Sequence, residues 1–592
     1  MDSKAIEGPY LIVDIGNTSS KAVLIEGTDG NYEVRGTGQA PTTIDPPDLD
    51  VTVGVRNAVG ELCRGLGVRL WDAEGPSKAH RFLCSSSTNE GLHMMVAGVI
   101  STISAESAQR AALGAGALLM DIFSKDDPRP EYEMVGRMMS LKPDMFLLAG
   151  GTDGGAVDQV LEMAGLIKTA DVRPRFGSEY KLPVVYAGNV EVREDVTNTL
   201  TEDRYATRVV ENVRPIIDKE NLGPAREGIY DSYMGHVIIH SPGYDKLVDR
   251  VDRSIIPTQA AIGKLIYAYA MERGVNLVGL DIGGATTDLY SVFNGVFNRS
   301  LNADIGITYG ISNIMKQVGI RRILRWIPAE MSERTIRNII GNMMILQPES
   351  LTSEEALVQQ AAAREAIKLG VEHHKGIASR LKGVLKKRIL SDMFDQSLEA
   401  TYLDMMKTQV IIGRGEVFTR GRTGGMAALL LLDALEPEGI TEILIDRSSI
   451  MPHLGMLLEM NQGAALEILS KECLHRLGTC VAPRGVAKGG EEAMKIRMTM
   501  ADGAVIQDEV AFGELKTLPL DGGETAEVLV TPTRRFDVGR GKGKSIKAEV
   551  TGGEKGLIID ARGRPLKIPK NREVLEGWTQ SLTKIESSAL RA

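Results

Sequence analysis

One pattern occurs twice in this chain: an apolar strand, an aspartate, glycine, a run of small and hydroxyl-bearing residues, and a second apolar strand. The first copy runs from Tyr10–Val13 through DIGNTSSK (Asp14–Lys21) to the apolar segment Lys21–Ile25. The second runs from Asn276–Leu280 through DIGGATTD (Asp281–Asp288) to Leu289–Phe293. Each reads as a β-hairpin with a polar turn. A whole strand–loop–strand unit that returns later in the chain signals internal duplication, so the fold is constrained to two related halves.

The loops carry a specific chemistry. Gly16 lets the backbone turn tightly and approach a ligand, and the amides of such a turn can form an anion-binding concavity. Thr18 and Ser19 add hydroxyl donors beside Asn17, and Lys21 supplies a point charge for phosphate. Asp14, at a strand end, is placed to hold Mg2+ through water, because that ion keeps most of its hydration shell. The second loop repeats the logic with Asp281, Gly283, Gly284, Ala285, Thr286 and Thr287, but without a lysine. One such loop alone is as readily a plain glycine turn. Two of one design argue for phosphate binding by both.

Between the copies, apolar strands run into glycine loops. Phe82–Cys84 meets Ser85–Ser87, Met145–Ala149 meets GGTDGG (Gly150–Gly155), and Val184–Ala187 meets Gly188–Asn189. Residues 104–121 are expected to be helical with Ser104 as cap. The alternation describes an α/β core. Asp153 in GGTDGG is a candidate to orient an attacking water, or equally a structural turn residue.

After the second hairpin, residues 330–400 are rich in helix formers, and Thr352 with Glu355 fits a capping box. The α/β pattern returns at Gln409–Ile412, which ends in Gly413-Arg414-Gly415. A helix follows Arg422, with Met426–Leu432 read as a buried segment, and then a strand at Glu442–Ile445. From about 485, glycine and lysine rise and short alternating segments appear, such as Ala526–Val530 and Leu557–Ile559. The expected division is therefore 1–275, 276–484 with a helical insertion at about 325–405, and a small β-rich domain at 485–592.

A net charge of -9 argues against a surface built to hold nucleic acid. The basic run at 382–388 reads as a solvated helix face. Four cysteines in 592 residues fit a reducing compartment. No basic start followed by an apolar run is seen, and no apolar stretch reaches the ~20 residues of a membrane helix. The expectation is a cytoplasmic protein with no membrane or nucleic-acid partner.

Three further signals fail on inspection. Gly541–Ser545 (GKGKS) suggests a nucleotide P-loop, but Val538 stands where the pattern needs glycine. Cys473, His475 and Cys480 match no standard zinc spacing and lack a fourth ligand. His373 and His374 are adjacent, so on a helix they point to different sides.

The two loops resemble the phosphate motifs of the actin, sugar kinase and heat-shock chaperone ATPase superfamily. IIGRGEVF (411–418), with Gly413, Arg414 and Gly415, looks like its adenosine motif, and the order along the chain matches. Several longer strings are similar to the glutamate mutase accessory component family: CSSSTNEGLHMMVAGVI (84–100), SAQRAALGAGA (107–117), FLLAGGTDGG (146–155), PVVYAGN (183–189) and LVGLDIGGATTDLYS (277–291). The similarity covers roughly residues 8–470, with GLIIDARGRPL (556–566) as a further candidate segment.

The resemblance implies an actin-like ATPase fold with two duplicated lobes, mixed central sheets and a helical insertion in the second. It implies ATP and Mg2+ as cofactors, with Asp14, Asp281 and Asp153 as catalytic candidates and Asp14 and Asp281 as metal-holding ones. It also implies the subunits of a cobalamin-dependent mutase as partners, and leaves self-association open. The function it implies is a reactivating chaperone; a small-molecule kinase of the same fold is the alternative, and a filament-forming protein a third option. No Asp-x-His-x-x-Gly string is present, so the chain is not expected to carry cobalamin itself.

Overall fold

The apolar run at the start of the chain forms β1 (Tyr10–Ile15), every residue of which is buried except the half-buried Asp14. It is followed by β2 (Ser19–Thr28), β3 (Asn31–Pro41) and β4 (Arg81–Ser86). Five strands then intervene: β5 (His93–Gly98), β6 (Leu118–Ser124), β7 (Met145–Leu148), β8 (Leu182–Tyr186) and β9 (Tyr205–Val209). The short β10 (Ile256–Pro257) closes the series. This computed structural model describes residues 9–28, 31–72, 75–77, 80–87, 92–345, 351–379, 401–419 and 423–583. The basic run at 382–388 lies outside the described residues.

These strands belong to the first of two compact units, built from residues up to Tyr269 together with Ile450–Glu472. They form two sheets. One has the order β10-β4-β1-β2-β3, with β1, β2 and β3 antiparallel and β1, β4 and β10 parallel. The other, β6-β5-β7-β8-β9, is parallel throughout. The helix Val51–Leu66 packs on the first sheet. Asp50 caps it by accepting from the Thr52 amide, and Gly67, in the left-handed conformation, ends it. The helix Met451–Leu457 returns to pack on β1 and β4, and His453 Nε2 donates to Lys21 O at 2.9 Å. Residues 450–472, expected within the 276–484 segment, therefore pack with the first hairpin.

The second unit comprises Ala270–Ala378, Thr401–Ser449 and the chain from Cys473 onward. Its strands are β11 (Leu277–Ile282), β12 (Thr287–Phe293), β13 (Val296–Asn302), β14 (Val410–Arg414), β15 (Gly439–Asp446), β16 (Leu474–Ala482), β17 (Glu492–Met500), β18 (Val505–Ala511), β19 (Leu515–Leu518), β20 (Thr525–Pro532), β21 (Ile546–Thr551) and β22 (Leu557–Asp560). The main sheet runs β13-β12-β11-β14-β15-β16-β22-β19. Its first five strands repeat β3-β2-β1-β4-β10 in order and in the sense of every pairing. This is the duplication read from the sequence, and the fold is the mixed α/β, actin-like one of two related halves.

The helix Ser353–Ile377 lies on β12 and β13. It starts with the expected capping box, Thr352 and Glu355 each bonding the other's backbone amide. The helix Gly424–Leu435 is apolar apart from Asp433 and is buried almost throughout, as Met426–Leu432 suggested.

Two expectations change. The helix expected over 104–121 is Glu106–Gly114, preceded by a π-turn, and residues 118–121 belong to β6. Ser104 does not cap it; its Oγ accepts from the amides of Val99 and Ile100. The segment from 485 is β-rich, but it does not form a sheet wholly its own. β17, β18, β20 and β21 form a four-stranded sheet, while β22 and β19 extend the main sheet beyond β16. Without them β16 would expose an unpaired edge. A buried ion network fixes this segment: Asp560 accepts from Arg562 and Arg564, while Asp433 accepts from Arg562 and Arg364.

Candidate functional site

Both hairpins close in the same way. The Gly16 amide donates to Ser19 O at 3.0 Å, and the Gly283 amide donates to Thr286 O at 2.9 Å. In the first, Asn17 and Thr18 stand exposed at the tip, with Ser19 half-buried. In the second, Ala285 is exposed, and Gly283, Gly284 and Thr286 are half-buried. Thr287, considered for phosphate binding, is buried, with its hydroxyl donating to Ile305 O at 2.5 Å.

Each loop rests on a neighbouring segment. Thr42 supports the first, its amide donating to Thr18 O and its hydroxyl to Gly16 O. Residues 306–310 support the second: Ile307 N donates to Gly283 O, and Thr308 N donates to Gly284 O. A β-carbon on Gly306 would lie 2.4 Å from backbone atoms of Gly284 and Ala285, so only glycine permits this approach.

The carboxylates differ. Asp14 Oδ1 accepts from Ser85 Oγ and from Thr258 Oγ1, each at 2.7 Å. Ser85 lies directly beside Asp14 in the β1–β4 register. The equivalent register partner of Asp281 is Arg414, and Arg414 Nη1 donates to Asp281 Oδ2 at 2.5 Å. Asp446 lies 3.4 Å from the Nε of the same arginine. Opposite Asp14 on β2 stands Lys21, whereas opposite Asp281 on β12 stands Asp288. Asp288 is buried and paired with Arg299 at 2.5 Å. The second hairpin thus has two carboxylates directly opposite each other on neighbouring strands, each met by an arginine.

The proposed adenosine residues gather at the second hairpin. Gly415, with φ +123°, passes so close that a β-carbon there would sit 2.2 Å from Ile282 O. Gly413 instead makes room for Leu431 and Phe418, which a β-carbon would meet at 3.2–3.3 Å. Asp153 belongs to the first unit. It lies after β7 on the parallel sheet, where its Oδ1 accepts from Asn212 Nδ2 at 2.9 Å and from the Val190 amide at 3.2 Å.

Sequence reasoning missed Ser85, Thr258, Thr42 and the 304–310 support. Asp304-Ile305-Gly306 repeats the Asp-Ile-Gly of both loops and was a signal available for the last. Among the described residues no three His, Cys, Asp or Glu side chains converge as a metal site. Cys473 donates to Asp446, His475 pairs with Glu554, and Cys480 is buried. Among the described residues no helix is long and apolar enough to cross a membrane.

The family model described as MutL protein matches residues 10–473, taking in both hairpins and the Gly413–Gly415 strand end. The chain belongs to the MutL protein family. MutL here is the glutamate mutase accessory component and not the DNA mismatch-repair protein. Protein MutL of Clostridium tetanomorphum is 27% identical over 492 residues, spanning 78% of this chain and 98% of that protein. Three solved structures overlap loosely. Nucleotide-free acetone carboxylase covers 86% of this chain and 81% of its own, with a TM-score of 0.34 and 11% identity. Nucleotide-free diol dehydratase-reactivating factor covers 76% and 99%, with a TM-score of 0.29 and 10% identity. Glycerol dehydratase reactivase covers 76% and 99%, with a TM-score of 0.28 and 11% identity. Membership in the MutL family rests on the sequence match.

Proposed function

We propose that this MutL-family chain binds and hydrolyses ATP and uses the cycle to reactivate an adenosylcobalamin-dependent mutase such as glutamate mutase, releasing damaged cobalamin. The observation that carries the nucleotide part is the pair of hairpins, Asp14–Lys21 and Asp281–Asp288, closed by the same backbone bond and set in the same five-strand order. The mutase part is supported by family membership.

The first hairpin supplies turn amides, the Thr18 and Ser19 hydroxyls and the Lys21 ammonium for phosphate oxygens. The hydroxyls of Ser85 and Thr258 fix the orientation of Asp14. Asp14, half-buried at the end of β1 beside the first loop, would hold a Mg2+ through the ion's hydration shell. When bound, that ion would neutralise phosphate charge. Asp281, already paired with Arg414, serves foremost to order the second loop. A conformational cycle between nucleotide states would act on the mutase as hinge closure and opening. A kinase of the same fold would need a carboxylate base facing its substrate, for which Asp153, bonded to Asn212 and the Val190 amide, is the candidate, and metabolite-dependent ADP production would favour that reading.

Calorimetry of the full chain with ATP and Mg2+, followed by ADP release with and without the inactivated mutase, tests this reading. ATP binding with mutase-stimulated ADP release and ATP-dependent recovery of mutase activity is expected. No adenine nucleotide binding, or recovery that needs no ATP, would overturn it.

A further inference from the structure

The segment that joins β20 to β21 lies beyond the residues 10–473 matched by the family model, and the nucleotide reading leaves it unused. From Thr533 to Lys547 it holds six lysines and arginines against one aspartate, in a chain whose net charge is -9. It contains the string Gly541–Ser545 (GKGKS), which fails as a nucleotide loop. Arg535 is paired with Glu491, and Lys547 with Glu527. Arg534, Arg540, Lys542 and Lys544 are exposed and form no ion pair among the described residues.

The backbone holds these charges in place. Lys544 N donates to Gly541 O at 3.1 Å and closes a turn about Lys542 and Gly543, and Gly543 N donates to Phe536 O at 2.9 Å. Asp537 Oδ1 accepts from the amides of Gly539 and Gly541. The backbones of Asp537 and Arg484 exchange two hydrogen bonds, which tie the hairpin to the loop between β16 and β17. Gly541 and Gly543, at φ +102° and +70°, hold conformations that a side chain would strain. A β-carbon on Gly543 would lie 3.2 Å from Arg534 Cα, so Arg534 stands against the turn that carries Lys542 and Lys544. Cations fixed in this way lose little freedom when an anionic partner arrives.

The surroundings narrow the partner. Phe536 and Val538, the hairpin's large apolar residues, are buried, so it offers no ring for a nucleic-acid base to stack on. On the adjoining loop Val486 is exposed, and a single valine is too little to anchor a surface in a bilayer. Carboxylates border the free cations: Glu491 at Arg535, Glu527 at Lys547, and Glu438 at 3.5 Å from Arg484. A nucleic-acid strand, charged evenly along its length, would run into them. A short carboxylate-bearing segment can meet the free arginines and lysines alone, through charge-assisted hydrogen bonds. Lys488, exposed on the adjoining loop, adds a further cation.

We propose that this hairpin is a docking site for an acidic peptide segment of a partner protein, whose carboxylates are met by Arg534, Arg540, Lys542 and Lys544.

The test is fluorescence anisotropy of the full chain with a labelled glutamate–serine peptide across a salt series. Saturable binding is expected, weakening as salt rises, with none for the matching glutamine–serine peptide. The triple variant Arg540→Glu, Lys542→Glu, Lys544→Glu should bind about tenfold more weakly or worse. The triple variant Arg321→Glu, Arg334→Glu, Arg337→Glu changes net charge equally at exposed positions elsewhere in the second unit, and should bind within about twofold of the unmodified chain. Urea unfolding of both variants separates a lost contact from lost folding. If the first triple variant misfolds, Arg540→Glu and Lys542→Glu singly must each weaken binding. No binding of the glutamate–serine peptide by the unmodified chain, or equal loss in both triple variants, overturns the proposal. Tighter binding of an oligouridylate RNA or of phosphatidylserine vesicles than of the peptide also overturns it.

Discussion

Arg414 Nη1 donates to Asp281 Oδ2, so the carboxylate that opens the second hairpin is held in an ion pair, while its counterpart Asp14 accepts from two neutral hydroxyls. The two copies of one motif have therefore taken different electrostatic parts. Asp14→Asn should lower ATP hydrolysis by about 100-fold, the scale for loss of one preorganised electrostatic group, with little change in unfolding. Asp281→Asn should cost about 2 kcal/mol in urea unfolding, less than a fully buried pair would, because Arg414 retains Asp446 nearby. Equal loss of hydrolysis in both variants, with no loss of stability in Asp281→Asn, would show that the pairing has no such consequence.

Gly306→Ala should disable the second loop. The added methyl would meet backbone, which cannot swing aside as a side chain can. We expect ATP affinity to fall at least tenfold by calorimetry, with a stability loss of about 1–3 kcal/mol for overpacking. Gly136→Ala is the control. It lies in the helix Glu131–Leu141 with nothing within 4 Å of an added β-carbon, so it should stabilise by about 0.5–1 kcal/mol.

His374 gives the second unit a pH dependence. It is fully buried, hydrogen-bonded to Ser300 Oγ and Ser291 Oγ at 2.8 Å each. Burial, with a smaller contribution from His373, lowers its pKa to about 3. The native imidazole stays neutral where the unfolded one, with its ordinary value near 6.5, takes up a proton. Its stability contribution is present above pH 6.5 and is lost as pH falls toward 3, by about 1.4 kcal/mol per pH unit. Urea unfolding between pH 7 and pH 4 should show a steeper loss in the unmodified chain than in His374→Gln. Parallel curves would refute it.

The network around Asp560 should be costly to break. Burial alone would raise this carboxyl, but Arg562 and Arg564 beside it hold it well below the usual carboxylate range. Asp560→Ala leaves buried guanidinium groups without their carboxylate, which costs about 3–5 kcal/mol. Thermal unfolding should show a large fall in midpoint, whereas Glu527→Ala, on the exposed face of β20, should leave it almost unchanged.

What was legible in the sequence was local. Strand, aspartate, glycine and hydroxyl follow one another within a dozen residues, so both hairpins and the duplicated fold could be read directly. The capping box of Thr352 and Glu355, three residues apart, was equally visible. Residues 104–121 were misread because their alanines and leucines favour helix, while pairing with β5 draws Leu118–Ser124 into a strand. Helix propensity is a weak preference that tertiary pairing overrides.

By itself the sequence determined that two hairpins of one design stand in two related α/β halves, because backbone turns and alternating burial depend on near neighbours. Only the tertiary structure decided which side chains complete them. Ser85 and Thr258 reach Asp14, Arg414 reaches Asp281, and Asp153 is placed on a different sheet, because strand register and crossover connections bring together residues that chain order keeps far apart.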